Sequence, residues 1–332
     1  MKTPRPLTPF TLTRRKDTLL VQLPPRLTVM EAVAFRQAFP QWLEAEPELQ
    51  SIILDFGQTA VIDSSGIGAL ISNLKTARTK NVAVVAWSVS PQVKLGFSLA
   101  GLDQVLTIET HTEGIIPNVS RRTEQRPPLT HPSVRSPLKR ALDIVGAIVG
   151  LGITGLLFVP IAIAIRLDSP GPILFSQIRC GWMGKRFRLW KFRSMVTNAE
   201  ALKATITNQA EGAFFKNDND PRITRVGRFL RKTSLDEIPQ FWNVLKGDMS
   251  LIGTRPPTPE EVEQYEVPNW QRLDVRPGLS GEWQVNGRSK IRSFEEVIQL
   301  DLRYQENWSL MYDLKLIVKT VLVIFNKDAG AV

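Results

Sequence analysis

Apolar and polar positions along this 332-residue chain fall into three zones. In the first, residues 1 to 112, short apolar runs alternate with stretches of helical spacing. Asp17–Leu23 (DTLLVQL) predicts a strand. Val29–Glu44 sets apolar side chains at 30, 33, 35, 39, 42 and 43, the stripe of a helix. SIILDF (Ser51–Phe56) and NVAVVAW (Asn81–Trp87) have the length of buried strands, with helical spacing over Ser65–Ala77 between them. This order predicts a small α/β domain with a largely buried sheet.

The second zone, residues 113 to 137, contains five prolines, scattered charge and no apolar period. It reads as a linker. The third zone, 138 to 332, opens on an apolar run in which Ile144–Ile165 carries 22 residues without a charge. As one helix this segment reaches about 33 Å, the thickness of a hydrocarbon core. A buried helix of a soluble domain is the plainer reading, and length and glycine content count against it. Pro160 removes a backbone hydrogen bond inside the run. Basic residues flank both ends (Lys139 and Arg140, then Arg166), so the positive-inside rule assigns no opposite sides. A kinked full span stays open, but a re-entrant hairpin broken at Pro160 fits both features. Asp143 is expensive in lipid unless paired, and Lys139 or Arg140 is the expected partner. Gly150, Gly152 and Gly155 match GxGxxG, but no strand precedes them, so a dinucleotide fingerprint is rejected. Gly146, Gly150 and Gly155 are expected to allow close helix packing in the membrane.

Charge changes the picture next. With 42 Lys and Arg against 32 Asp and Glu, the chain carries a net charge of +10 and calls for an acidic partner: nucleic acid, anionic lipid or a phosphorylated substrate. Nucleic acid is disfavoured, since no helix-turn-helix, RNP or zinc-finger signature occurs. Cys180 is the only cysteine, which fits a reducing compartment. His111 and His131, the only histidines, fall at the linker, which argues against a histidine triad and a His/Cys zinc site. The first residues lack the apolar stretch of a signal peptide, so the front of the chain is expected in the cytoplasm.

Candidate chemistry centres on TSLDEIPQFWNV, Thr233–Val244. One reading is a capping box, Ser234 with Glu237 three residues on, and Pro239 near the helix start. The other makes Asp236 a nucleophile toward a phosphoryl group, with Glu237 as base or organiser. Around it lie Lys191, Arg193, Arg222, Arg225, Arg228, Arg231, Lys232, Arg255, Arg276 and Arg288, many beside Gly or Pro. Arginine in such loops suits a phosphate cradle; a solubilising surface is the alternative.

Several ordered motifs carry a resemblance. They are Lys139-Arg140 with Asp143, the proline-broken apolar run, SPGPILFSQ (Ser169–Gln177), KFRSM (Lys191–Met195), DPRITRVGRFLRKTSLDEIPQFWNVLKGDMSLIG (Asp220–Gly253), VRPGLSG (Val275–Gly281) and QVNGR (Gln284–Arg288). From Leu138 onward the chain resembles the bacterial sugar transferases, monotopic polyprenyl-phosphate sugar-1-phosphate transferases. It departs in carrying Thr254 where members usually have proline, and Val159 where serine is common before the membrane proline. The resemblance implies a mostly helical membrane transferase domain with a re-entrant helix hairpin, on the cytoplasmic face of the bacterial inner membrane. It implies a UDP-sugar donor, a polyprenyl phosphate acceptor and Mg²⁺. Asp236 would be the nucleophile, Glu237 its base or organiser, and Lys191, Arg193, Arg231, Arg255, Arg276 and Arg288 the phosphate ligands. Asp236 and Asp301 are the candidate metal ligands, while Asn307 and Asp313 are expected to be structural.

LDFGQTAVIDSSGIGALI (Leu54–Ile71) resembles a STAS domain, the α/β fold of anti-sigma-factor antagonists. Ser65, directly before Gly66, would be the phosphorylated serine, since a phosphate there meets free helix N–H groups. Capping by Asp63 or Ser64, or docking of a protein partner, are the other readings. The reading is thus a STAS-like α/β domain joined to a membrane transferase. Its rivals are a STAS adaptor with an inactive scaffold and a glycosyltransferase that releases UDP.

Overall fold

A computed structural model of the chain describes residues 9–109, 130–212, 215, 217–286, 291 and 293–325. The chain forms two compact units. The first comprises residues 1–130 with two short stretches, 183–185 and 266–274; the second comprises 131–182, 186–265 and 275–332.

In the first unit, β1 (Thr11–Arg15) and β2 (Thr18–Gln22) form an antiparallel hairpin. A two-residue strand β3 (Arg26–Leu27) leads into α1 (Val29–Ala45). Helix α1 starts at Thr28, whose N–H and hydroxyl both donate to Glu31 Oε2, at 3.2 and 2.7 Å. Then come β4 (Ser51–Asp55), β5 (Val61–Ile62), α2 (Ser64–Thr79), β6 (Ala83–Trp87), α3 (Pro91–Ala100) and β7 (Thr107–Glu109). The main sheet has the order β1-β2-β4-β6-β7, parallel from β2 onward, and β3 pairs with β5 beside it.

The expected elements are present, with strand ends trimmed. Two details differ. Met30 is 76% exposed, and Ala32 and Ala38 fill the buried stripe of α1 with Phe35, Phe39, Trp42 and Leu43. The sheet is not largely buried either. Ile52 and Leu54 are buried while Ser51 and Ile53 are only half-buried, and β1 is exposed along its length. Helices α1 and α2 pack on each other, so alternate strand residues meet them and the rest do not.

The second unit starts earlier than the linker reading allows. Residues of α4 (Pro132–Arg135) are already helical, and α5 begins at Pro137. His131 belongs to this folded part: its ring lies 2.7 Å from Ser133 Oγ through Nδ1 and 3.0 Å from Gln305 O through Nε2. His111 lies outside the described residues. Helix α5 (Pro137–Asp168) then runs 32 residues and continues through Pro160.

One face of α5 rests on the unit along the whole helix: Lys139, Asp143, Ala147, Gly150, Thr154, Ile161 and Ile165 are buried. The opposite face exposes Val145, Ile148, Val149, Leu156, Val159, Ile163 and Leu167. Asp143 pairs differently from the expectation. Its Oδ1 accepts from Ser250 Oγ at 2.8 Å and Leu251 N at 2.9 Å. Lys139 reaches Asp313 instead, at 2.7 Å, and Arg140 donates to Val244 O and Leu245 O. The glycines divide as well. A Cβ on Gly146 would meet Leu251 at 2.5 Å, and one on Gly150 would meet Phe241 at 2.4 Å, both within this unit. Gly155 faces open space.

Antiparallel β8 (Leu174–Cys180) and β9 (Arg186–Phe192) follow, then α6 (Ala199–Leu202), α7 (Arg225–Lys232) and α8 (Phe241–Lys246). Strand β10 (Ser250–Ile252), helix α9 (Pro259–Glu263), strand β11 (Gly278–Ser280) and helices α10 (Glu282–Val285), α11 (Phe294–Glu306) and α12 (Leu310–Phe325) complete it. Burial pushes the Cys180 thiol up to about 11, so it is protonated at neutral pH.

The contrast between the glycines is testable by thermal unfolding in detergent. Gly150→Ala drives a methyl into Phe241 and is expected to cost about 1–3 kcal/mol. Gly155→Ala meets nothing and should be neutral or gain up to about 1 kcal/mol of helix propensity.

Candidate active site

Asp236 and Glu237 lie on a 3₁₀ turn, Leu235–Gln240, between α7 and α8. Ser234, the residue before the turn, sits at φ +55° and its side chain caps nothing, so the capping box does not form. The left-handed residue reverses the chain after α7, and the turn then runs through Pro239 into α8. Asp236 is 5% exposed. Glu237 Oε1 accepts a hydrogen bond from Lys191 Nζ at 2.8 Å, and that pair is partly buried.

Lys191 comes from β9. The β8–β9 register pairs Phe175 with Lys191, Gln177 with Leu189 and Arg179 with Phe187. Paired residues share a face, so Gln177, Arg179 and Lys191 project on the same side of the hairpin. Arg179 donates to Pro256 O at 2.9 Å and Gln177 Oε1 at 2.7 Å. Burial, then the charge of Arg255, brings Arg179 down to about 10, against the pull of Glu261 and Glu237. It stays charged at neutral pH. Arg179 and Glu261 escaped the sequence reading; the alternation of polar residues in FSQIRC, facing KF on the next strand, was the available signal.

The sequence-predicted arginines separate by what they hold. Arg193 ends α5: it donates to Pro170 O at 2.8 Å, Ser169 O at 2.6 Å and Ser169 Oγ at 3.0 Å. Both its terminal nitrogens are engaged in closing a helix. Arg222 is likewise locked on Asp220, through Nε at 2.9 Å and Nη2 at 2.7 Å. Arg255 grips Glu261 with both terminal nitrogens, at 2.6 and 3.0 Å. Burial would lower its pKa, but the Glu261 carboxylate reverses that and holds the guanidinium protonated, with Asp301 adding to the effect. Arg231 ends α7 with its Nε buried and no hydrogen-bond partner among the described residues. Arg276 sits under the influence of Arg140, whose charge adds to burial in lowering its pKa, and of Asp143, which opposes it. Arg288 lies outside the described residues. Thr254, in place of the usual proline, is held by Gly278 N–H donating to its carbonyl at 2.8 Å.

Asp301 is buried on α11. Asp313 is structural, as expected: it accepts from Lys139, Tyr304 and Trp308 at 2.7, 2.9 and 3.1 Å. Asn307 ends α11 and donates to Arg303 O. Among the described residues no three His, Cys, Asp or Glu side chains converge as a metal cage. Mg²⁺ is ordinarily held by one or two carboxylates together with substrate phosphates, a mode that needs no such cage.

A buried acid beside a lysine–glutamate pair, next to a long helix with an apolar outer face, suits phosphoryl chemistry at a membrane. Residues 134–327 match the family described as bacterial sugar transferase. The chain belongs to the bacterial sugar transferase family. Residues 10–115 match the STAS domain. A galactosyl transferase of Streptococcus agalactiae serotype III is 50% identical over 188 residues, covering 56% of this chain and 42% of that protein. An undecaprenyl-phosphate galactose phosphotransferase of Salmonella typhimurium is 44% identical over 199 residues, covering 58% of this chain and 41% of that protein. The chain thus spans about two fifths of the length of these relatives. The anti-sigma factor antagonist SpoIIAA, unphosphorylated, aligns with 31% of this chain and 89% of its own at 21% identity and a TM-score of 0.29.

In the STAS domain, Asp63 caps α2, its Oδ1 accepting from Gly66 N–H at 2.8 Å. Ser64 and Ser65 are both fully buried, and Ser65 Oγ has no hydrogen-bond partner among the described residues. A kinase could reach Ser65 only after the start of α2 opens.

The division of arginines predicts a division of phenotypes. Arg193→Gln should lower stability by about 1.5–3 kcal/mol, because the carbonyls at the end of α5 lose a charged donor. Lys191→Gln breaks only a partly exposed pair and should cost about 1 kcal/mol or less. Thermal unfolding of both variants checks this; a destabilised Lys191→Gln beside an unaffected Arg193→Gln would reverse the assignment.

Proposed function

We propose that this protein transfers a sugar-1-phosphate from a UDP-sugar to a membrane polyprenyl phosphate, the first step of building a lipid-linked glycan. The observation that carries this reading is the buried Asp236 on its 3₁₀ turn, adjacent to Glu237 and its Lys191 partner. The Salmonella relative is named for transfer of a galactose phosphate to undecaprenyl phosphate, which supports the same class of reaction here.

In this reading a carboxylate oxygen of Asp236 attacks the sugar-bearing phosphorus of the donor. The bond from that phosphorus to the bridging oxygen breaks, and UMP leaves with that oxygen. An aspartyl phospho-sugar remains. A phosphate oxygen of the polyprenyl acceptor then attacks the same phosphorus, frees the Asp236 carboxylate, and yields the polyprenyl diphospho-sugar. Phosphorus is not oxidised or reduced, and each step exchanges one P–O bond for another.

The protein's part is positioning and charge. Lys191 keeps the Glu237 carboxylate in place and offers a cation to the transferring phosphoryl group. Arg179 and Arg255 set two further buried charges against Glu237 and Glu261, and Arg231 adds an open donor. Glu237 orients the acceptor phosphate or takes its proton. Mg²⁺, held by Asp301 or Asp236 together with the diphosphate, would neutralise negative charge on the donor. The exposed apolar face of α5 enters the inner membrane from the cytoplasmic side while its other face stays on the protein. Contacts at Lys139, Asp143, Gly150, Thr154, Ile161 and Ile165 favour a re-entrant course, because a helix crossing the bilayer would leave the body behind.

The deciding measurement is nucleotide release in detergent with Mg²⁺, undecaprenyl phosphate and a panel of UDP-sugars. UMP should form from one donor, with turnover dependent on lipid. Asp236→Ala should lose activity by at least about 10³-fold, since no nucleophile remains. UDP in place of UMP would mean transfer of the sugar alone. Unchanged activity in Asp236→Ala would remove the covalent intermediate. Silence from the wild type across all donors would favour a STAS adaptor on an inactive scaffold.

A further inference from the structure

The first compact unit holds a segment that the STAS sequence does not supply. Residues 266–274, from within the sugar transferase match, fold with the STAS domain. They sit at the start of α2. Asp274 Oδ1 accepts from Ser64 N–H at 3.0 Å, and the Ser64 hydroxyl lies 2.6 Å from that oxygen and 2.5 Å from Trp270 O, free to donate to either. Trp270 is buried and packs so closely on α2 that a Cβ at Gly68 would meet its ring at 2.5 Å. Arg272 is fully buried.

We propose that residues 266–274 are a latch, seated on the start of α2, through which the STAS domain sets the position of Arg276. The role of Arg276 as a phosphate ligand is what the resemblance to the sugar transferases implies and rests on the proposed function being of that class; the seat itself does not. Asp274 takes the place at the helix N-terminus that suits an anion. The chain then needs only Val275 to reach Arg276, and β11 follows two residues later. Opening the seat therefore removes one hold on the backbone that carries Arg276 and leaves the hold of the second unit, where Pro277 O accepts from Ser250 N–H and Gly278 N–H donates to Thr254 O, both at 2.8 Å.

The seat is built to be reversible. Asp63 already caps the same helix end, so two carboxylates share it. Burial, then the charge of Asp274, raises the Asp63 pKa well above the usual carboxylate range, and burial raises that of Asp274. Two buried acids at one site oppose each other, which keeps the docking from being overwhelmingly strong.

Hydrogen exchange on the full-length protein in detergent tests the latch. Gly68→Ala pushes a methyl onto Trp270 while favouring the helix itself. Asp274→Ala removes the acceptor from Ser64. Both variants should speed exchange by roughly 10- to 100-fold over residues 266–274 and over β11, the size expected from a lost charged hydrogen bond. Trypsin should then cut after Arg272, and β4 should stay protected. Unchanged exchange over 266–274 would overturn the proposal. So would an open 266–274 with β11 at the wild-type rate, since Arg276 would then be uncoupled. Loss of protection in β4 would make the segment part of the STAS core and would also overturn it. UMP release, measured on the same samples, judges the proposed reaction separately from the latch.

Discussion

The second unit depends on a buried ion pair. Lys139 Nζ meets Asp313 Oδ2 at 2.7 Å, with side chains 6% and 1% exposed, and the same lysine donates to Ile252 O at 3.0 Å. Tyr304 and Trp308 fill further acceptor positions of Asp313. Removing one partner from such a pair typically costs about 3–5 kcal/mol, because the other charge is left buried. The pair joins α5, β10, α11 and α12. A helix as apolar as α5 has no intrinsic reason to keep one rotation on a polar body; charges and hydrogen bonds on a single stripe supply it. Asp143, one turn on, repeats the device on Ser250 and Leu251.

That orientation reaches the candidate site by direct packing. Gly150 admits the Phe241 ring, and Thr154 Oγ1 lies 3.2 Å from Ile238 O, in the turn that carries Asp236 and Glu237. Farther along, Ile161 and Ile165 share a core with Phe192 and Leu230, next to Lys191 and Arg231 in sequence. The helix with the exposed apolar face and the turn that carries the acid are therefore parts of one packed body. For the proposed reaction, between a water-soluble nucleotide and a lipid-bound phosphate, this arrangement would keep each substrate close to its own phase.

Much of this was legible in the sequence, and the limits are physical. Apolar periodicity located α1, α2, the STAS strands and α5, because burial imposes those periods. It could not show that Met30 faces solvent or that β1 is exposed, since both depend on which neighbours a face meets. The TSLDEIPQ stretch suggested a capped helix from its residue types. The chain instead turns through a left-handed Ser234 into a 3₁₀ turn, a geometry that spacing alone does not encode. Asp143 and Lys139 looked like natural partners at four residues apart, yet each found a better one more than a hundred residues away. Long-range pairing of this kind leaves no local pattern.

The arginines show how far charge alone misleads. A net charge of +10 invites every loop arginine to be counted toward phosphate. Yet Arg140 and Arg193 face carbonyls at α8 and the end of α5, where unpaired oxygens and the helix dipole attract cations. Arg222 is closed by Asp220. What remains is a smaller set: Lys191 and Arg255, paired with Glu237 and Glu261, Arg179, under the pull of both carboxylates, and Arg231, whose Nε has no hydrogen-bond partner among the described residues. A buried cation balanced by a carboxylate costs less to hold than a bare one, and an arriving phosphate can share it without first stripping its water. The structural arginines fix the helices; the balanced ones can exchange partners, and the proposed phosphoryl transfer would draw on that second kind.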